Sequence, residues 1–199
     1  MIDRLIRIFV ANHAESVSVI VNEEMKEVQE HLKSLSLPVP LHLVIKSTPS
    51  SMHSFFFFFF PQKGGKYFLT WVDIIFKEDE FASYIKAFEQ DDVYDGLMAV
   101  TDYIDDEKPL YVATDPSLSV TGFMDSAYPG ARYISGGIYC LNQAGIHTLH
   151  GCMNDGVSRM RNYQRRLVEE GVQLKAYPFS KIIDVDHAED IQKAENFIY

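Results

Sequence analysis

The residues best suited to chemistry are three aspartates. Asp184 and Asp186, in the segment KIIDVDHAED, alternate along a chain that reads as extended, so both side chains can point to one face and meet the same cation. Asp73 stands near the end of the strand-like run YFLTWVD, and in an open parallel sheet ligands bind at the carboxyl ends of the strands. A carboxylate there can hold Mg²⁺ against the phosphates of a nucleotide, because that ion takes one or two protein carboxylates and fills its octahedron with water and phosphate oxygens. Each aspartate has a plainer alternative. Asp73 can cap the helix that follows, and Asp186 can be the N-cap of the last helix with Glu189 as its capping-box partner, leaving Asp184 for a metal.

Further polar groups can serve a ligand around these acids. Lys181, just before Asp184, can offset phosphate charge or simply be solvated. Gly136 and Gly137 in SGGIYCL let a backbone come close to a ligand, or mark a bend. Thr48, Ser50 and Ser51 in KSTPSSMHSF can present hydroxyls and helix-start amides to a polar ligand, or can cap that helix. Other chemistries find less support. The seven histidines lack zinc-binding spacing, no G-x-S-x-G elbow is present, Gly64 to Lys66 lacks the rest of a P-loop, and no G-x-G-x-x-G follows a strand.

Elements that alternate must position these residues. The opening MIDRLIRIFVANHAES spaces Leu5, Ile6, Phe9 and Val10 as one face of a helix, and its charges argue against a signal peptide. Strand-like runs at Ser16 to Val21, Leu41 to Ile45, Tyr67 to Phe76, Gly96 to Thr101, Pro109 to Thr114, Ala131 to Leu141, Val172 to Tyr177 and Ile182 to Val185 are interleaved with helical patterns. The clearest helix is Glu78 to Gln90, with acids in its first turn and the stripe Phe81, Tyr84, Ile85, Phe88. This alternation predicts a mostly parallel sheet covered on both faces, with an antiparallel insertion in its middle. Phe55 to Phe60, six identical residues, have no amphipathic period and predict a patch of exposed apolar surface.

The 199 residues, 47% hydrophobic and 23% charged, suit one domain over 1–199 with its own core. A formal charge of -10 without a basic stripe argues against nucleic acid as a partner, and favours phosphate chemistry that brings in a cation. Cys140 and Cys152 read as two reduced thiols of a cytoplasmic protein, and no run approaches a membrane span.

Three segments in order, FLTWVDIIF, SGGIYCL and KIIDVDHAEDIQKAENFI, resemble the nucleoside-triphosphate transferase family, which includes the sugar-1-phosphate nucleotidyltransferases and the enzymes that make molybdenum-cofactor dinucleotides. The resemblance implies a single Rossmann-like α/β domain of three layers. It implies Mg²⁺ on Asp73, Asp184 and Asp186, nucleotide contacts from Thr48, Ser50 and Ser51, and an acceptor beside Gly136, Gly137 and Lys181. The implied reaction joins a nucleoside triphosphate to a sugar phosphate or similar small phosphate and releases pyrophosphate. Two departures accompany the resemblance. The family's first strand and Gly-rich triphosphate loop are not found before the opening helix, so an N-terminally truncated domain is expected, with Ser16 to Val21 or Tyr67 to Val72 as an open sheet edge through which the chain self-associates. Trp71, near Asp73, is bulkier than the residue the resemblance places there. The alternative to an enzyme is a truncated homologue that binds a nucleotide or a protein without catalysis.

Overall fold

The computed structural model describes residues 1–59, 65–105 and 107–198. The chain divides into two compact units, Met1–Lys63 with Leu149–Tyr163, and Gly64–Thr148 with Gln164–Tyr199.

In the first unit, α1 (Ile2–Ala11), β1 (Val17–Val21), α2 (Lys26–Ser34), β2 (Leu41–Ile45) and α3 (Ser51–Phe59) follow one another. Strands β1 and β2 pair in parallel, Val17 opposite Leu41 through Val21 opposite Ile45. Ile6, Val17, Val21 and Leu32 form the core of the unit, with Phe9, Val10, Val28 and Leu43 packed against it. The 3.6-residue period of the two helices and the β-branched strand between them meet in that one cluster.

Phe55 to Phe59 belong to helix α3, with Phe55 buried and Phe56, Phe57 and Phe58 partly exposed. Phe55 is 1% exposed, and Phe56 packs on His150, ring centroids 5.0 Å apart. A helix sends successive side chains about 100° apart, so Phe55 enters the core while Phe56, Phe57 and Phe58 take flanking positions. Phe60, with which the run ends, lies outside the described residues.

The second unit carries β3 (Tyr67–Thr70), β4 (Ile74–Ile75), α4 (Glu78–Gln90), β5 (Gly96–Thr101), β6 (Tyr111–Thr114), β7 (Val120–Met124) and β8 (Tyr133–Leu141). Helices α5 (Gln143–Asn154) and α6 (Met160–Glu169), each divided between the two units, come next along the chain, and β9 (Leu174–Phe179), β10 (Ile183–Asp184) and α7 (Ala188–Ile198) complete the second unit. The main sheet has the order β7-β6-β8-β5-β9, with β3 also on β8. Strand β8 runs antiparallel to β3, β5 and β6, while β5 and β9 are parallel. Strands β3, β5, β6 and β9 therefore share one direction, and the reversed β8 between them makes most of the ladders antiparallel. The expected antiparallel insertion is the β6–β7 hairpin. Its second strand, VTGFM, is short and interrupted by a glycine, so the local sequence carries no clear strand pattern there.

The run Tyr67 to Phe76 is not one strand. It leaves β8 after Thr70, turns through residues 71–73, and pairs again as β4 with β10. Among the described residues β1 pairs only with β2, and β3 only with β8. The edge of β9, by contrast, is covered: Ala176 N–H donates to Leu118 O at 2.8 Å, and Ser119 forms a bridge with Lys175. Lys66 closes α4, its ammonium donating to the carbonyls of Phe88, Glu89 and Asp91 at 2.7 to 3.0 Å. Both cysteines are buried and not joined in a disulfide, and among the described residues no helix is long and apolar enough to cross a membrane.

Candidate metal centre

The two-residue ladder of β4 and β10 sets Asp184 opposite Ile74 and Ile183 opposite Ile75. One more bond extends it, from Val185 N–H to Asp73 O at 3.1 Å. The segment around β10 presents two faces. Ile183 and Val185 pack with Ile75, Ala194, Tyr103 and Phe197, whereas Ile182 turns the other way, against Gly136. Asp184 and Asp186 share the parity of Ile182, so the pleat points them away from the apolar side and toward Asp73.

Ligand oxygens of Asp73, Asp184 and Asp186 all lie within 4.8 Å of one another. Trans ligands of one Mg²⁺ stand about 4.2 Å apart, twice the ion-to-oxygen distance, so small rotamer changes bring the three onto one cation. Asp184 and Asp186 are exposed, and Asp73 is half-buried. Asp73 Oδ1 is buried with no hydrogen-bond partner. Its carboxyl is held above the usual carboxylate range, first by burial and then by the charge of Asp186, against a lowering backbone hydrogen bond. A buried acceptor without a donor, facing two further carboxylates, fits a hard cation, which needs oxygen ligands and relieves both penalties.

Asp73 lies in the turn between β3 and β4 and does not cap α4, whose N-cap is Lys77. Asp186 does not cap α7 either. Asp190 Oδ2 accepts the His187 amide at 3.0 Å, so the helix closes one residue later than the sequence suggests. Asp186 stays with the cluster.

The paired glycines have a packing reason of their own. They sit in an irregularity of the β5–β8 ladder, which passes from Met98 opposite Tyr139 to Val100 opposite Ser135. A Cβ on Gly136 would stand 2.2 Å from Ile182 Cδ1, and one on Gly137, at φ +72°, would stand 3.3 Å from Trp71 Cδ1 and 3.2 Å from Ile74 Cδ1. Gly137 thus makes room for the bulky Trp71 near Asp73, while Gly136 admits the side chain that precedes Asp184. Both glycines border the carboxylate face.

No protein-family model matches the chain, and no curated protein matches it in sequence. Solved structures do match in shape. The inositol-1-phosphate CTP transferase from T. maritima superposes with a TM-score of 0.75 at 16% identity, over 100% of this chain and 84% of that one. A Bacillus anthracis protein assigned as a glucose-1-phosphate thymidylyltransferase gives 0.81 at 14% identity, over 96% and 79%. The CTP:phosphocholine cytidylyltransferase from Streptococcus pneumoniae gives 0.73 at 14%, over 98% and 84%. The fold is that of the nucleotidyltransferases.

Within this nucleotidyltransferase fold the remaining expected residues are placed as follows. Thr48 Oγ1 bonds Ser50 O at 3.2 Å and Ser54 Oγ at 2.6 Å, and Ser50 Oγ bonds His53 Nδ1 at 2.7 Å. These two hydroxyls are engaged at the start of α3, where Ser51 is exposed. Lys181 extends over the Tyr103 ring, 4.0 Å from its centroid, and toward Phe197 at 5.4 Å. Those rings pack on the apolar side of β10, so the structure does not bring the ammonium to the carboxylates.

Sequence reasoning missed Glu80, whose Oε1 accepts Ser180 N–H at 3.0 Å and ties α4 to the turn that enters β10. An acid in the first turn of a helix is legible as a dipole partner, but nothing local marks its second contact, from Ser180 at the far end of the chain.

Proposed function

We propose that this protein is a metal-dependent nucleotidyltransferase that transfers a nucleoside monophosphate from a triphosphate to a small phosphorylated acceptor. The observation that carries the reading is the meeting of Asp73, Asp184 and Asp186 within 4.8 Å, with Asp73 Oδ1 buried and unbonded, in a fold shared with enzymes of that chemistry. In the reaction an acceptor phosphate oxygen forms a bond to the α-phosphorus, the bond to the bridging oxygen breaks in line, and pyrophosphate leaves with that electron pair. Mg²⁺ held by the three carboxylates would neutralise charge that develops on the transferred phosphoryl group. The chain itself supplies a fixed carboxylate spacing, set by the β4–β10 ladder. A cation requirement also reconciles polyphosphate substrates with a formal charge of -10, since without it protein and substrate repel.

The test is pyrophosphate release with each common nucleoside triphosphate and Mg²⁺, over a panel of sugar 1-phosphates and phosphocholine. Turnover with at least one pair, lost by chelation and in Asp184→Asn, supports the reading. Triphosphate or Mn²⁺ binding without turnover for any pair leaves a binding module instead, and absence of both overturns the proposal.

A further inference from the structure

On the side of β10 away from the carboxylates runs a chain of polar contacts that the proposed chemistry does not use. Lys193 of α7 donates to Asp105 Oδ2 and to Asp190 Oδ1, at 3.0 Å each. Asp105 also receives the Tyr103 hydroxyl at 3.2 Å, and the Tyr103 ring carries the Lys181 ammonium 4.0 Å from its centroid. Asp190 uses its other oxygen for the His187 amide, at 3.0 Å. The contacts therefore begin at Lys181 and end at His187, the residues that bracket the segment 182–186, and they are anchored midway on the loop that follows β5.

That segment needs holding. Strand β10 has two ladder pairs and one flanking bond to Asp73, far fewer than the six-residue β5–β9 ladder. Lys193 and Asp105 are 41% and 43% exposed at the side chain, and ion pairs this exposed contribute little to global stability. Their effect is geometric. Asp190, only 12% exposed at the side chain, is the common member that joins the ion pair to the cap of α7. Asp105 and Asp190 are both held below the usual carboxylate range, chiefly by their bonds from Lys193, as charge-assisted partners are.

We infer that Lys193 is a positioning residue for the carboxylate cluster: by tying α7 to Asp105 it keeps Asp184 and Asp186 in register with Asp73. The inference rests on the reading of that cluster as a cation site, and relates to it as outer-shell groups relate to ligands, whose loss commonly costs 10–100-fold in metal affinity.

The experiment measures Mn²⁺ binding by electron paramagnetic resonance, and amide exchange at Val185 and His187, in the wild type, Lys193→Met, Lys193→Arg and Asp105→Asn. Lys193→Met and Asp105→Asn are expected to weaken Mn²⁺ binding about tenfold or more and to speed exchange at those two amides. Lys193→Arg should retain both properties, and the thermal midpoint should hardly move in any variant. Wild-type affinity in both Lys193→Met and Asp105→Asn overturns the inference, as does a loss that merely follows a general fall in stability with exchange raised throughout. If the wild type takes no Mn²⁺, the cation reading falls, and the exchange measurement still decides the clamp: unchanged protection at Val185 and His187 overturns it, and selective loss there upholds it.

Discussion

The amide of Val185 donates to the carbonyl of Asp73 at 3.1 Å, and this bond sets the spacing of the candidate site. It fixes the turn that carries one carboxylate against the centre of the segment that carries the other two. Because side chains alternate along an extended chain, holding Val185 opposite Asp73 puts Asp184 and Asp186 on either side of it and on one face.

Asp73→Asn should leave the fold intact and remove the cation. The wild-type side chain buries an oxygen without a partner next to two acids, so a neutral isostere relieves a cost rather than adding one. In chelator-treated protein the thermal midpoint should be equal or higher, while calorimetry should show Mn²⁺ affinity down by more than about a hundredfold, beyond what outer-shell losses reach. A variant that binds Mn²⁺ as the wild type does would show that Asp73 is no ligand.

Gly136→Ala should lose about 1–3 kcal/mol in urea unfolding, the range for overpacking, because the new Cβ would stand 2.2 Å from Ile182 Cδ1. Shortening that neighbour should restore part of the loss, so the double variant Gly136→Ala with Ile182→Val is expected to be more stable than the sum of its single variants. Strict additivity would mean that the contact does not govern this corner of the site. Gly137→Ala should cost a similar amount for a second reason, since its φ of +72° is strained for any residue with a Cβ.

Lys66→Met should lower stability by about 1–3 kcal/mol, the cost of leaving acceptors short of a charged donor. The ammonium serves three carbonyls at the end of α4, where a cation also complements the helix dipole. Amide exchange should quicken at Asp91, whose N–H bonds Phe88 O at 3.3 Å, before it does in β5. Equal protection in variant and wild type would place the helix end's stability elsewhere.

Asp115 should make the cover of β9 sensitive to acid. Its Oδ1 accepts the Ser117 hydroxyl and the amides of Ser117 and Ser119 at 2.7 to 2.9 Å, and these bonds, the hydroxyl first, hold its carboxyl below the ordinary value. A carboxyl depressed in the folded state contributes stability above its unfolded pKa and loses it as pH falls through the folded one. Acidification through and below the ordinary carboxylate range should therefore loosen the 115–119 turn. The readout is the Ala176 amide, bonded to Leu118 O: corrected for intrinsic rates, its protection should fall with pH in the wild type and start low in Asp115→Ala. A pH-independent wild type would refute the link.

Much of the framework is legible in the residues. Leu41 to Ile45, Glu78 to Gln90 and Gly96 to Thr101 form as the sequence predicts, to the residue. Their apolar period is long or unbroken, and each ends where a proline, a charge or a glycine stops the pattern. Other readings fail where a segment's fate lies in its partner. Tyr67 to Phe76 reads as one apolar run because its residues are uniformly strand-forming, yet it changes partner at Trp71 and pairs first with β8 and then with β10. The cap of α7 is misplaced by one residue because Glu189 and Asp190 are both acids that suit a first helical turn, and only the backbone angle of the entering chain selects between them.

The sequence by itself determined the α/β alternation, the helix faces and the types of the three acids, since propensity, period and side-chain chemistry are properties of neighbours along the chain. It also carried the parity that lets Asp184 and Asp186 share a face. The tertiary structure alone decided that β8 runs against its neighbours and that Lys181 turns to the aromatic side of β10, and it supplied the β4–β10 pairing through which Asp73 meets the other two acids, as the resemblance implies. Each of these depends on a pairing between distant segments. Such pairings follow from which edges and faces fill one another at interior density, and no local stretch of sequence contains that information.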